Sequence, residues 1–219
     1  MRAVLLDALG TLVRLEPPGP RLRAALRELS GVDVGAPAAE AAFRAEIAYY
    51  LAHHTEGGDP AGLERLRDDC AAVMHEALAA PELGCSTVRR AMLASLRFTA
   101  YADVAPALEA LRPRRLVVVS NWDCALGGWL DAAGLGGALD AVVTSAEVGE
   151  AKPGPAVFET ALARVGVEAA DAVHVGDSLE NDVEGARAAG MRAILVAREG
   201  PLPAGVEAVR SLAELRSLV

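Results

Sequence analysis

The first pattern in the chain is a short apolar run at residues 3–6, with no polar alternation. A run of this kind is typical of a strand buried on both faces, as in a parallel sheet. It ends at a carboxylate, Asp7, and Gly10 and Thr11 follow at once, where glycine lets the backbone turn sharply. Ligands bind at the carboxyl ends of strands in open α/β sheets, so Asp7 is a candidate site residue. Its ordinary alternative is to cap the turn.

Between residues 21 and 96 the pattern predicts helices and contains no convincing strand. The helices, bounded by Gly, Pro or Ser, are predicted at residues 21–29, 37–51, 62–78 and 87–96. They predict an all-helical lobe inserted after the first strand. Four aromatic or imidazole side chains near the end of the second helix have a possible ligand role, although core packing or a solvated helix end is more usual. These are Tyr49, Tyr50, His53 and His54.

From Tyr101 onward, short apolar strands alternate with helices, which predicts a parallel, doubly wound sheet with right-handed crossovers. The predicted strands are residues 115–119, 141–144, 172–175 and 192–196, with a small edge strand at 206–209. The predicted helices are residues 104–111, 122–133, 155–165, 181–189 and 212–218. The predicted fold class is therefore α/β. A Rossmann-like core is expected from residues 1–15 and 99–219, with the helical lobe at 16–98.

Composition narrows the classes of function. The 219-residue chain has a net charge of −9 and no basic run longer than residues 114–115, which argues against nucleic acid or an anionic membrane as the main partner. Neither an 18-residue apolar stretch nor a signal peptide is evident. Cys70, Cys85 and Cys124 lack metal-ligand spacing and are expected to be reduced thiols of a cytoplasmic protein.

Polar residues follow the predicted strands at the ends that converge on one crevice. They are Asp7, Ser120, Asn121, Asp177 and Ser178, with Asp182 at the start of the next helix and Lys152 in a loop after the third strand. Carboxylates bind a hard cation such as Mg²⁺ through oxygen, and a cation with an ammonium suits a phosphate dianion. A carboxylate can also attack phosphorus to form an aspartyl-phosphate.

Several of these residues have an ordinary structural explanation as well. Ser120 fits a strand-end turn, Lys152 fits a solvated loop, and Asp182 would favour a helix N-terminus through the helix dipole. The most specific stretch is Gly-Asp-Ser-Leu-Glu-Asn-Asp at residues 176–182. It places two carboxylates five residues apart across a strand-to-helix turn, a spacing that chance rarely gives.

Four motifs in order resemble those of the haloacid dehalogenase (HAD) superfamily. They are Asp7-x-x-Gly-Thr-Leu, Val119-Ser-Asn, Lys152-Pro and Gly176-Asp-Ser-x-x-Asn-Asp. The resemblance covers nearly the whole chain, and the helical insert resembles the helical cap of the family's C1 type. It implies a hinge just after the first strand, about which the cap opens and closes over the crevice.

The resemblance implies catalytic roles for three residues. Asp7 would be the nucleophile that takes the phosphoryl group. Ser120 would hydrogen-bond the transferring phosphoryl oxygens, and Lys152 would neutralise charge on the nucleophile and the phosphoryl group. The residues expected to contact phosphate are Thr11, Ser120, Asn121 and Lys152.

The resemblance also implies Mg²⁺ as the cofactor. Asp7 and Asp177 would be its ligands, with the backbone carbonyl of Leu9, and Asp182 would hold the ion directly or through water. At Leu9 the sequence departs from the family's phosphatases, which carry a second Asp there. That Asp protonates the leaving oxygen and then activates the water that hydrolyses the aspartyl-phosphate. Leucine can do neither, and losing a general acid–base group typically slows a reaction by ~10²–10⁴-fold.

Three interpretations therefore stay open. The first is a phosphatase of a small phosphorylated metabolite, since a closed cap would exclude a large polymer; it would be slow or use a substitute acid from the cap. The second is a non-enzymatic protein that binds a phospholigand or a partner on the same scaffold. The third is dehalogenase-like chemistry, which the resemblance implies needs no metal, so that Asp177 and Asp182 weigh against it. The sequence predicts neither the substrate nor the oligomeric state.

Overall fold

The apolar runs form the strands of a parallel sheet. The computed structural model describes residues 1–219. Its eight strands, in chain order, are β1 (Ala3–Leu6), β2 (Val13–Leu15), β3 (Phe98–Ala100), β4 (Arg115–Ser120), β5 (Ala141–Thr144), β6 (Ala172–Gly176), β7 (Arg192–Val196) and β8 (Ala208–Val209). Six of them pair in parallel in the order β5-β4-β1-β6-β7-β8. Because β1 lies between β4 and β6, the carboxyl ends of these three strands are neighbours.

Helices cover both faces of this sheet. The α-helices are α1 (Pro18–Ser30), α2 (Ala36–His53), α3 (Pro60–Leu78), α4 (Cys85–Ser95), α5 (Val104–Leu111), α6 (Leu126–Ala132), α7 (Ser145–Val148), α8 (Ala156–Val165) and α9 (Gly185–Ala188). Alternate residues of β1 point into two separate cores, one shared with α5 and α6 and the other with α8 and α9. The predicted α/β class, with a doubly wound parallel sheet, is confirmed. None of the helices combines the length and apolar character that a membrane crossing requires.

The helices α1–α4 form a lobe with its own core of 16 buried residues. No strand lies between residues 21 and 96, as the pattern predicted. The chain enters and leaves the lobe through β2 and β3, which pair as an antiparallel ribbon with Val13 opposite Ala100. The sequence did not predict this ribbon, because two three-residue strands far apart in the chain leave no periodic signal. The division into residues 16–98 and 1–15 with 99–219 stays a prediction.

Three predicted helices differ from the structure. The helix predicted at residues 122–133 begins only at Leu126, because the preceding backbone is bonded elsewhere: the Cys124 N–H donates to the Gly57 carbonyl at 2.9 Å. The helix predicted at 181–189 is a π-helical turn, Leu179–Glu184, followed by α9. The final helix predicted at 212–218 is a 3₁₀-helix, Leu212–Ser217.

Candidate active site

The carboxyl ends of β1 and β4 bring a carboxylate and a hydroxyl together. Ser120 Oγ donates to Asp7 Oδ1 at 2.9 Å. Lys152 Nζ donates to the same oxygen at 2.7 Å and to the Val119 carbonyl at 3.0 Å. Asp7, Ser120 and Lys152 are all buried, so the strand end holds an ammonium against a carboxylate where water screens little.

Behind Asp7, the lysine is held by a second carboxylate. Lys152 Nζ donates to Asp182 Oδ1 at 2.6 Å, and His174 Nε2 lies 2.9 Å from the same oxygen. The other oxygen, Oδ2, accepts the Ser178 N–H at 2.9 Å. His174 is fully buried and is not among the site residues predicted from the sequence. The available signal was a single polar residue inside the otherwise apolar strand β6.

The charges in this group shift one another's pKa values. Burial alone would lower the pKa of Lys152, but the Asp7 and Asp182 carboxylates outweigh it and raise that pKa. Burial raises the pKa of Asp7, and Lys152 offsets part of this. Burial would also raise the pKa of Asp182, but the hydrogen bond from His174 and the charge of Lys152 lower it. Desolvation within the site and the neighbouring Asp7 and Asp182 carboxylates raise the pKa of Asp177 to about 6, although Asp177 is an exposed residue.

Two glycines make room for the carboxylates. Gly10 has φ +83°, and a Cβ at this position would overlap the Asp177 carboxylate. A Cβ at Gly176 would likewise overlap the carboxylate of Asp182. Both glycines of the motifs are therefore explained by close approach of a carboxylate to the backbone, and Gly10 also by its left-handed conformation.

The acidic group fits a hard divalent cation. Asp7, Asp177 and Asp182 each offer a carboxylate oxygen, and these atoms all lie within 4.8 Å of one another. Lys152 pairs with Asp7 and Asp182 but not with Asp177, so the three carboxylates outnumber the one ammonium. Oxygen-only donors at this spacing are the type that Mg²⁺ or Ca²⁺ uses.

A family model described as a haloacid dehalogenase-like hydrolase matches residues 1–190. The chain belongs to this family. The resemblance to the HAD superfamily predicted from the four motifs is thereby confirmed.

Individual relatives support the same assignment. HAD-like hydrolase domain-containing protein 3 of Bos taurus is 44% identical over 96 residues, which are 44% of this chain and 38% of that protein. The chain thus spans well under half the length of that relative. Phosphatase MT3486 of Mycobacterium tuberculosis is 35% identical over 148 residues, covering 64% of this chain and 67% of that protein. The crystal structure of a HAD phosphatase from Thermococcus onnurineus covers 100% of this chain and 97% of that one, with 27% identity and a TM-score of 0.68.

Two residues expected to contact phosphate are engaged or buried in this HAD hydrolase. The Asn121 amide donates to the Lys152 carbonyl at 3.0 Å and accepts the Lys152 N–H at 2.7 Å, so it fixes the loop that carries the lysine. Thr11 is fully buried, and its hydroxyl has no hydrogen-bond partner. Neither side chain is hydrogen-bonded to Asp7 or Ser120, and their contacts with phosphate stay predictions.

The side chain of Leu9 is 44% exposed and lines a cavity between the helical lobe and the sheet. Across this cavity, the Tyr50 hydroxyl donates to Asp123 Oδ2 at 2.9 Å and accepts the Asp123 N–H at 3.2 Å. Tyr50 is thus the one of the four lobe side chains considered from sequence that bonds to the core. Tyr49 and His53 stack on each other, with ring centroids 4.0 Å apart. Asp123 is not among the site residues predicted from the sequence.

Proposed function

We propose that this hydrolase is a Mg²⁺-dependent phosphatase of a small phosphorylated molecule, acting through an aspartyl-phosphate on Asp7. The observation that carries the proposal is the grouping of Asp7, Asp177 and Asp182 around one buried lysine. Such a group supplies both a cation site and a positive charge for a phosphoryl group. Relatives named as phosphatases support this choice among HAD hydrolases. The cytoplasmic location and the absence of nucleic-acid and membrane partners stay predictions from composition.

The hydrogen bonds of Asp7 distinguish its two oxygens. Oδ1 accepts from Ser120 and Lys152, whereas Oδ2 has no hydrogen-bond partner and is the atom proposed to attack phosphorus. Attack forms the bond from Asp7 to phosphorus and breaks the bond from phosphorus to the leaving oxygen, which departs with the bonding electrons as an oxyanion and then takes a proton from water. The Lys152 ammonium neutralises charge on Asp7 and on the phosphoryl oxygens, and Asp182 and His174 hold that ammonium in place.

Mg²⁺ would be held by Asp7, Asp177 and the backbone carbonyl of Leu9, and when bound it supplies positive charge to the phosphoryl oxygens. Asp182, whose oxygens are bonded to Lys152, His174 and the Ser178 N–H, would act on the ion through water.

Leu9 limits the proposed reaction to its first step, the transfer of the phosphoryl group to Asp7. Its side chain cannot protonate a leaving oxygen or activate water, so alkyl esters and the aspartyl-phosphate should both react slowly. The same residue favours a second candidate, a protein that binds a phospholigand without turnover. Dehalogenase-like chemistry is disfavoured because Asp177 and Asp182 stand with Asp7 in a cation-binding arrangement.

Phosphate release from a panel of phosphorylated metabolites with Mg²⁺ tests the proposal. The wild type should exceed Asp7→Asn on at least one ester, and Leu9→Asp should exceed the wild type. Release that is unchanged in Asp7→Asn would exclude Asp7 as the nucleophile. If neither the wild type nor Leu9→Asp exceeds Asp7→Asn while phosphate still binds, the second candidate is correct.

A further inference from the structure

The cavity beside Leu9 lies next to the strand ends that carry Asp7 and Ser120. It has a volume of about 150 Å³ and lies between the helical lobe and the sheet. Leu9 lines it from the turn after β1, and Asn121 lines it from the end of β4. Ile47 and Leu51 line it from α2 and are 37% and 60% exposed, so its rim is apolar and accessible. In-line attack by Asp7 expels the leaving group away from the carboxylate, so the leaving group needs space next to the strand ends. This cavity offers such space, because Leu9 and Asn121 are the neighbours in sequence of the site residues at these ends.

The walls of the cavity carry negative but no positive side chains. Nine of its twelve lining residues are hydrophobic, and none is Lys, Arg or His. Its two acids differ in their surroundings. Asp123 accepts hydrogen bonds from the Tyr50 hydroxyl and from the Ala125 N–H, whereas Glu46 is 6% exposed and no basic group offsets its burial. A leaving group with an ionised substituent of its own, such as a second carboxylate, would therefore bring that charge close to like charges beside apolar walls, which is unfavourable.

We propose that this cavity receives the leaving group of the phosphate ester and selects an apolar alcohol or phenol without ionised substituents. Glu46 excludes leaving groups that carry an anionic substituent. The inference rests on the proposed phosphatase function and names its class of substrate. Burial raises the pKa of Glu46 to about 7, so the exclusion is strongest above that pH. Glu46 also lines a second cavity, whose other titratable and charged residues are Tyr50, Arg67, Cys70 and Asp123. Arg67 is the basic residue among them, and it forms no ion pair with Glu46 and leaves the pKa of Glu46 raised.

A matched pair of esters tests the selection kinetically. At about pH 8 the wild type should hydrolyse phenyl phosphate with a kcat/KM about 10-fold or more above that for 4-carboxyphenyl phosphate. Glu46→Gln should reduce this preference several-fold, because it removes the charge and keeps the shape. Glu40→Gln removes the same charge from an exposed position of α2 outside the cavity and should leave the preference unchanged. Equal preference in the wild type and Glu46→Gln would overturn the inference.

Binding of inert phosphonates tests the cavity without turnover. Both tryptophans of the chain, Trp122 and Trp129, line the cavity, so their fluorescence reports its occupancy. Benzylphosphonate with Mg²⁺ should change the emission and bind more tightly than 4-carboxybenzylphosphonate, and Leu51→Arg at the exposed rim should narrow or reverse this order. If no ester turns over but this order is seen, the phosphatase proposal fails and the selectivity of the cavity stands. Equal binding of the two phosphonates, or an order that neither Glu46→Gln nor Leu51→Arg alters, overturns the inference.

Discussion

Replacing Glu46 with glutamine should remove a pH-dependent cost of folding. Burial raises the pKa of Glu46 from the ordinary 4.5 to about 7, and a hydrogen bond with the Cys70 thiol offsets only part of this. One pKa unit corresponds to about 1.4 kcal/mol, so an ionised Glu46 costs the folded state about 3 kcal/mol. The cost arises because a charge is held in the cavity wall with no basic partner.

The sign of the effect follows from proton binding. Between pH 4.5 and about 7, Glu46 keeps a proton in the folded protein that it has lost in the unfolded chain, so its contribution to the free energy of unfolding falls as pH rises. Glutamine does not titrate, and the other titrating groups are common to both proteins. The free energy of unfolding of Glu46→Gln minus that of the wild type should therefore rise by about 3 kcal/mol across this window, measured by urea denaturation in EDTA. A difference that is independent of pH would show that ionisation of Glu46 does not destabilise the folded protein.

Three further predictions concern the residues around Asp7. Leu9→Asp should raise steady-state phosphate release by ~10-fold or more, because the exposed side chain leaves room for a carboxylate; Leu9→Asn is the matched control, and equal rates in the two variants would contradict an acid–base deficit. Asp177→Asn should weaken Mg²⁺ binding by ~10-fold or more in calorimetry, and Ca²⁺ should compete for the same site; unchanged Mg²⁺ affinity would exclude Asp177 as a ligand. Gly10→Ala should lower the free energy of unfolding by more than the ~1 kcal/mol expected of Gly31→Ala, and it should also weaken Mg²⁺ binding. Both glycines have positive φ, but only a methyl group at Gly10 would overlap Asp177. Similar losses in the two glycine variants would argue against that contact.

The architecture could be predicted where the hydrophobic pattern of a segment matches its position in the fold. The central strands β1, β4 and β6 are largely apolar runs buried on both faces, and such runs stand out in the sequence. The ribbon of β2 and β3 could not be predicted, since its pairing depends on the lobe that brings residues 13–15 and 98–100 together. The late start of α6 has a similar cause, because a backbone bond from Cys124 to the lobe replaces a helical one.

At the site, strand order explains which residues could be predicted from the sequence and which could not. Asp7 and Asp177 follow adjacent strands, so their proximity follows from the topology that the pattern predicts. His174 and Glu46 could not be selected, because their importance depends on burial and on which neighbours they lack. In the sequence, Glu46 resembles any charged residue of a helix, whereas in the fold it lies in the wall of the cavity.

Detection of a phosphoryl group on Asp7 would show directly that the proposed reaction begins at this carboxylate. An aryl phosphate with a good leaving group, such as 4-nitrophenyl phosphate, is mixed with the protein and Mg²⁺, and quenched samples are analysed by intact mass spectrometry. If Asp7 is the nucleophile, we expect a burst of nitrophenol approaching one equivalent and a protein heavier by one phosphoryl group. Turnover after the burst should be slow, because Leu9 cannot activate water. Asp7→Asn should show neither the burst nor the added mass. Rapid hydrolysis without a burst would show that another residue supplies the acid–base function, and an absence of phosphoryl transfer to Asp7 would contradict the account.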